Sequence, residues 1–121
     1  FLNQKSQSLL NKLARTPPDE IFLCSIVKAE LFYGANKSKN PTKTLRIQKE
    51  FCEEFHSLPF DDKAAEEYGK IRADLEKKGK VIGPNDLIIA SIARANELIL
   101  VTHNYKEFNR VRDLVVEDWE N

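Results

Sequence analysis

The stretch GPNDLIIASIARANELILVT, residues 83–102, decides the fold class. Gly83 and Pro84 open a helix, because proline's fixed φ and missing N–H suit the first helical position. The aliphatic run behind them carries that helix to Ala95. LILVT, residues 98–102, then lacks any alternation of apolar and polar side chains, so it reads as a strand covered on both faces, the habit of parallel sheets. A helix feeding a buried strand is one half-turn of an α/β repeat. Within it stands one carboxylate, Asp86, in the first turn of the helix.

The same alternation extends in both directions. Upstream, IFLCS (21–25) is a second buried strand and runs into SIVKAELFYGA (25–35), where Ile26, Ala29, Leu31 and Phe32 fit a helix ending near Gly34. NKSKNP (36–41) is a polar loop, Thr44 to Phe55 carries Leu45, Ile47, Phe51, Cys52 and Phe55 at helical spacing, and HSLPF (56–60) is a brief strand. DDKAAEEYGKIRADLEKKGK (61–80) is the strongest helical pattern: Asp61 or Asp62 caps it, Ala65, Tyr68, Ile71 and Leu75 mark one face, and Gly79 ends it. Downstream, HNYKEF turns into a short helix and LVVEDW gives a last strand. At the other end, QSLLNKLAR puts Leu9, Leu10 and Leu13 on one helical face and the prolines of TPPDE stop it. The expected order after that helix is β-α-α-β-α-α-β-α-β, an α/β protein with a mainly parallel central sheet flanked by helices.

A chain of 121 residues, 41% of them hydrophobic, suits one domain over 1–121. Nineteen basic residues balance nineteen acidic ones, so there is no strongly positive field of the kind dedicated nucleic-acid binders carry. Cys24 and Cys52 form neither a CxxC motif nor a disulfide framework, which suits a reducing cytoplasm. No apolar run approaches the ~20 residues that cross a bilayer. The sequence contains no methionine, so residues are expected before Phe1.

In open parallel sheets ligands bind beyond the carboxyl ends of the strands. That rule selects Glu30, in the helix leaving the first visible strand, Asp86, and Asn104 with Glu107, which follow LILVT. Taken singly, each has an ordinary explanation: an acid complementing a helix dipole, a solvent-facing partner of a lysine, polar residues at a turn. Taken together, converging carboxylates repel one another unless a cation sits between them. Oxygen donors select magnesium, with manganese as a substitute, and such an ion can activate water for attack on a phosphodiester. His56 and His103 lie far apart and neither cysteine has a partner at ligand spacing, so nothing favours zinc.

SIVKAELFYGA, LPFDDKAAEEYGKIRADLEKKGKVIGPNDLIIASIA, LILVTHNYKEFNRV and VVEDW, in that order along nearly the whole chain, resemble the VapC-type toxins of the PIN-domain ribonucleases. The resemblance implies the three-layer PIN fold and a magnesium-dependent endoribonuclease that hydrolyses RNA phosphodiester bonds. It further implies a toxin-antitoxin system in a bacterium or archaeon, a VapB-type antitoxin, and a homodimer or a dimer of toxin-antitoxin pairs in the cytoplasm. It assigns Glu30, Asp86 and Glu107 as catalytic acids and Glu30, Asp86 and Asn104 to the metal. Some relatives carry aspartate where this chain has Asn104, which suggests hydrogen bonding there in place of charge. Family members begin with an apolar strand ending in aspartate, commonly within DTN, and this sequence starts after it, so the first central strand and one acid are expected to be missing from it. The competing reading is a truncated or degenerate homologue that binds antitoxin without cleaving RNA.

With balanced charge, RNA contact has to come from local patches. NKSKNPTK (36–43), KKGK (77–80), Arg94, Arg110 and Arg112 are the candidates, although lysine-rich loops more often only aid solubility.

Overall fold

The computed structural model describes residues 7–119, with side chains from residue 11 onward. The element order is the expected one: α1 (Gln7–Arg15), a single 3-10 turn (Pro18–Glu20), β1 (Phe22–Cys24), α2 (Ser25–Asn36), α3 (Pro41–Glu53), β2 (His56–Leu58), α4 (Asp62–Lys78), α5 (Pro84–Ala95), β3 (Leu100–Val101), α6 (Tyr105–Phe108) and β4 (Val116–Glu117). Leu9 and Leu10 of the expected α1 face lie outside the described side chains. All pairing among the described strands is parallel, β1 with β2 and β3 with β4, in two two-stranded sheets. The chain divides into two compact units, Thr16–Pro59 and Phe60–Asn121 with Phe1–Arg15.

In the unit Thr16–Pro59, β1 passes into α2 without a side-chain cap, Cys24 holding the extended N-cap conformation. The helix runs past Gly34, because the Lys37 N–H still reaches the Tyr33 carbonyl at 3.2 Å and the Asn36 amide bonds the Phe32 carbonyl at 2.8 Å. α3 begins at Pro41, three residues before the apolar rhythm does. Asn40 caps it by accepting the Lys43 N–H at 3.2 Å and Pro41 takes the first helical position, so the capping signals set the boundary. β2 pairs Phe22 with His56 and Cys24 with Leu58, then stops at Pro59, which has no N–H to give a ladder. Cys24 and Cys52 are free and buried, and that burial raises both thiol pKa values. Only Ala35 of α2 is fully buried; Ala29 and Glu30 are exposed, although Glu30 stands among mostly apolar residues in sequence.

In the other unit, Asp61 caps α4 by accepting the Ala64 N–H at 3.0 Å, and Gly79, at φ 67°, closes it in the left-handed conformation. Its inner stripe is Ala64, Tyr68, Ile71 and Leu75. Ala64, not the expected Ala65, completes the 4-3-4 spacing, and Ala65 is exposed. α5 packs against α4 and buries Leu87, Ile89, Ala90, Ser91, Ile92, Ala93 and Ala95, which makes it the core of the unit. The one polar member, Ser91, donates its hydroxyl proton to the Leu87 carbonyl at 2.6 Å. Burial of Ile71, Leu75 and Ile92 stabilises the unit by roughly 2 kcal/mol for each side chain. β3 is shorter than LILVT suggests, and that run is not covered throughout, since Ile99, just before the strand, is 53% exposed. Its parallel ladder is fixed by the Leu100 N–H on the Val115 carbonyl at 2.9 Å and the Thr102 N–H on the Glu117 carbonyl at 3.0 Å. No described helix is long and apolar enough to cross a membrane.

Candidate active site

Asp86 occupies the third position of α5, next to the buried Leu87 and one turn before the buried Ile89 and Ala90 that anchor the helix. Its carboxylate is half-buried at the rim. The chain reaches the same place again after β3. There the buried Thr102 hydroxyl accepts the Asn104 N–H at 3.0 Å, bending the chain into α6 with Asn104 at its N-cap. From that position the Asn104 side chain makes no capping bond to the helix backbone: Nδ2 donates to Glu107 Oε2 at 2.9 Å and lies 3.4 Å from Asp86 Oδ2.

Glu107 follows Asn104 by three residues, the spacing of a capping box, in which the glutamate would reach back to the N-cap N–H. Here the Asn104 N–H is already held by Thr102. Glu107 instead accepts the backbone N–H of Gly83 through Oε1 at 3.0 Å and the Asn104 amide through Oε2. Asp86, Asn104 and Glu107 are thereby drawn into one cluster within one unit. Glu30 lies on the exposed side of α2, in the other unit.

The two acids are pushed in opposite directions. Burial, and then the negative charge of Glu107, raise the pKa of Asp86 above the ordinary carboxylate value. The Asn104 amide and the Gly83 N–H lower that of Glu107, against the opposing effect of burial. Glu107 thus holds its charge more readily than an ordinary glutamate, and Asp86 less readily than an ordinary aspartate. Among the described residues, no three His, Cys, Asp or Glu side chains are placed to hold a metal ion, so in this unit the acids stand as a pair. Two carboxylates and an amide within bonding reach of one another nevertheless form a hard-oxygen donor set that fits a divalent cation, which would relieve the repulsion that raises Asp86. A half-turn of the Asn104 amide presents its oxygen to such an ion.

The expected RNA-contacting residues divide. Arg94 is committed to structure: Nε meets Glu67 Oε1 at 2.6 Å, Nη1 bonds the Arg112 carbonyl at 2.9 Å, and its side chain is only 15% exposed. Lys78 pairs with Asp74 at 2.9 Å, and Lys37 lies 5.1 Å from the centre of the Tyr33 ring. Lys39, Lys43, Lys77 and Lys80 are exposed.

The PIN domain family model matches residues 2–114. The chain belongs to the PIN-domain family. Its sequence is 44% identical over 95 residues to ribonuclease VapC2 of Haemophilus influenzae, covering 78% of this chain and 72% of that protein. It is 42% identical over 97 residues to the tRNA(fMet)-specific endonuclease VapC of Shigella flexneri, covering 80% and 74%. The crystal structure of VapBC2 from Rickettsia felis bound to a DNA fragment from its promoter contains a chain that matches with a TM-score of 0.87 and 40% identity, covering 97% of this chain and 89% of that one. The PIN match spans residues of both units, and both strand pairs are parallel as that α/β fold requires. What sequence reasoning missed in this PIN domain is its main-chain chemistry. The Thr102 hydroxyl places Asn104 and the Gly83 N–H places Glu107, and neither contact leaves a signal in the side-chain pattern.

Proposed function

We propose that the protein is a divalent-metal-dependent endoribonuclease that hydrolyses RNA phosphodiester bonds as the toxin of a VapBC-like toxin-antitoxin pair, the two units working as one PIN domain. The observation that carries this reading is the Asp86–Asn104–Glu107 cluster, in a chain related to proteins named as VapC ribonucleases. Magnesium is the proposed ion, with manganese able to replace it. Asp86, Glu107 and Asn104 would hold it, and Glu30 is assigned to it through the resemblance of KAELFYGA to the family's motif. A divalent ion bound there supplies charge that acidifies a water and offsets the negative charge building on the scissile phosphate.

The remaining work falls to the chain itself. Gly83 and Asn104 keep Glu107 ionised and in place, and the buried helix behind Asp86 fixes its carboxylate at the rim. No side chain has to form a covalent bond to phosphorus. The proposed partners are an RNA substrate, with tRNA the class suggested by the Shigella flexneri relative, and a VapB-type antitoxin, suggested by the Rickettsia felis complex. Assembly as a homodimer or a dimer of toxin-antitoxin pairs, in the cytoplasm, belongs to the same proposal.

Asn104, standing where some relatives have an acid, favours a second reading in which the chain binds antitoxin without cleaving RNA. One experiment separates the two. The full chain, incubated with RNA and magnesium, is expected to cleave, and Asp86→Ala to lower the rate by at least about 100-fold, the upper end of what loss of a metal-supporting group does. Cleavage that persists in Asp86→Ala would refute the site, and antitoxin binding by a wild-type chain that leaves RNA intact would establish the second reading.

A further inference from the structure

The segment Val81–Gly83 joins α4 to α5, yet two hydrogen bonds tie it to α6 and the residues just after it. Arg110 Nη1 donates to the Val81 carbonyl at 3.0 Å, and the Gly83 N–H donates to Glu107 Oε1 at 3.0 Å. Between them Ile82 is buried, 7% exposed, and pins the segment to the core. The two bonds run in opposite directions, so the segment cannot slide along α6 without breaking one of them. Val81, by contrast, is 58% exposed, so packing alone does not hold this stretch.

Gly83 is not there for glycine's conformational freedom. Its φ of −61° and ψ of 155° are open to any residue, and an added Cβ would meet only Asp86 Oδ2, at 4.0 Å, an ordinary contact. What the position contributes is its N–H. Hydrogen bonds to ionised groups are the stronger kind, and a backbone donor held at both sides loses little entropy on making one.

We propose that the backbone amide of Gly83 is a positioning group for the catalytic centre: clasped to α6 with the help of Arg110, it aims the Glu107 carboxylate toward Asp86. This rests on the assignment of Asp86 and Glu107 to that centre. It extends the centre from side chains to one peptide group, through which the loop after α4 is mechanically linked to the acids.

The geometry supplies its own test. Proline fits the φ of Gly83 and removes the N–H, whereas alanine fits and keeps it. In the full chain, Gly83→Pro is expected to lose roughly 10- to 100-fold in kcat/KM and to need a correspondingly higher magnesium concentration for half-maximal rate, the scale on which groups orienting metal ligands act. RNA affinity measured without metal should not change. Gly83→Ala is expected to restore cleavage to within about threefold of wild type, less than the smallest orienting effect. A measurement on the unsubstituted backbone guards against misfolding of the proline variant: the Gly83 amide proton of the metal-free chain should shift upfield in Glu107→Ala. An unchanged Gly83 resonance, or equal losses in the alanine and proline variants, would overturn the proposal while leaving Asp86 and Glu107 catalytic. Full cleavage by Asp86→Ala would overturn both.

Discussion

Asp86 is a residue whose placement works against stability. Burial and the neighbouring Glu107 charge raise its pKa, so ionised Asp86 is less comfortable folded than unfolded. An acid with a raised pKa contributes its full stability below its ordinary value of 3.8 and loses it as pH rises through the folded value. Glu107 behaves oppositely: its donors stabilise the charged form, a contribution present above the ordinary 4.5 and lost as pH falls through its lowered pKa. Asp86→Asn should therefore melt higher than wild type at neutral pH in metal-free buffer, with the gain shrinking to nothing as pH falls below about 4, where the ordinary aspartate is itself protonated. The same variant should lose the thermal stabilisation that magnesium gives wild type by binding only the folded chain. Metal-free melting in which the advantage of Asp86→Asn over wild type is no larger at pH 7 than at pH 3.5 would contradict this account, since the two pH values bracket the ordinary carboxylate range.

At the scale of elements, local chemistry set the boundaries that periodicity misjudged. Asn40 and Pro41 start α3 ahead of its first apolar residue, and α2 runs through Gly34 because a glycine ends a helix only when it takes the left-handed conformation, as Gly79 does. The α4 face was legible except for Ala65, because two adjacent alanines look alike in sequence and only the 4-3-4 spacing to Tyr68, Ile71 and Leu75 selects Ala64. The end of α5 at Ala95 was legible, but the way it is capped was not. There the Leu98 N–H bonds the Ala93 carbonyl at 3.0 Å and the Glu97 N–H bonds the Arg94 carbonyl at 3.2 Å, a Schellman turn with Glu97 at φ 53° in the place usually given to glycine. A side chain in that conformation costs about 1–2 kcal/mol, of which glycine's extra unfolded entropy returns roughly half. Glu97→Gly should accordingly stabilise the protein by about 0.5–1 kcal/mol, read as a higher denaturation midpoint at constant slope. A lower midpoint would mean that the Glu97 carboxylate itself makes a stabilising contact.

At the scale of the whole molecule, the grouping of Asp86, Asn104 and Glu107 could be read from sequence, whereas Glu30, selected by the same rule, lies in the other unit, and the basic surface could not be read at all. Strand-end placement picked out Asp86, Asn104 and Glu107 because the helix dipole, the turn and the rim of the sheet are all written in side-chain pattern. It missed Gly83 and Thr102, whose contributions are a backbone N–H and a turn, and it could not tell a lysine facing solvent from an arginine locked into the fold. Arg94 illustrates the second failure. Its guanidinium joins α4 to the turn before β4 and lowers the pKa of Glu67, so it is unavailable to phosphate. With nineteen charges of each sign, any affinity for RNA must be concentrated in exposed groups such as Lys77, in the last turn of α4, and Lys80, on the loop that runs from it into Gly83. Each lysine that touches a phosphate of single-stranded RNA adds about 0.7 to the slope of log affinity against log salt. Lys77→Ala with Lys80→Ala should then reduce that slope by about 1.4 without altering the melting temperature, while Lys78→Ala, which removes a lysine already paired with Asp74, should change it by less than about 0.7. A slope that the double variant leaves untouched would place this loop outside the RNA interface and shift the search to Lys39 and Lys43.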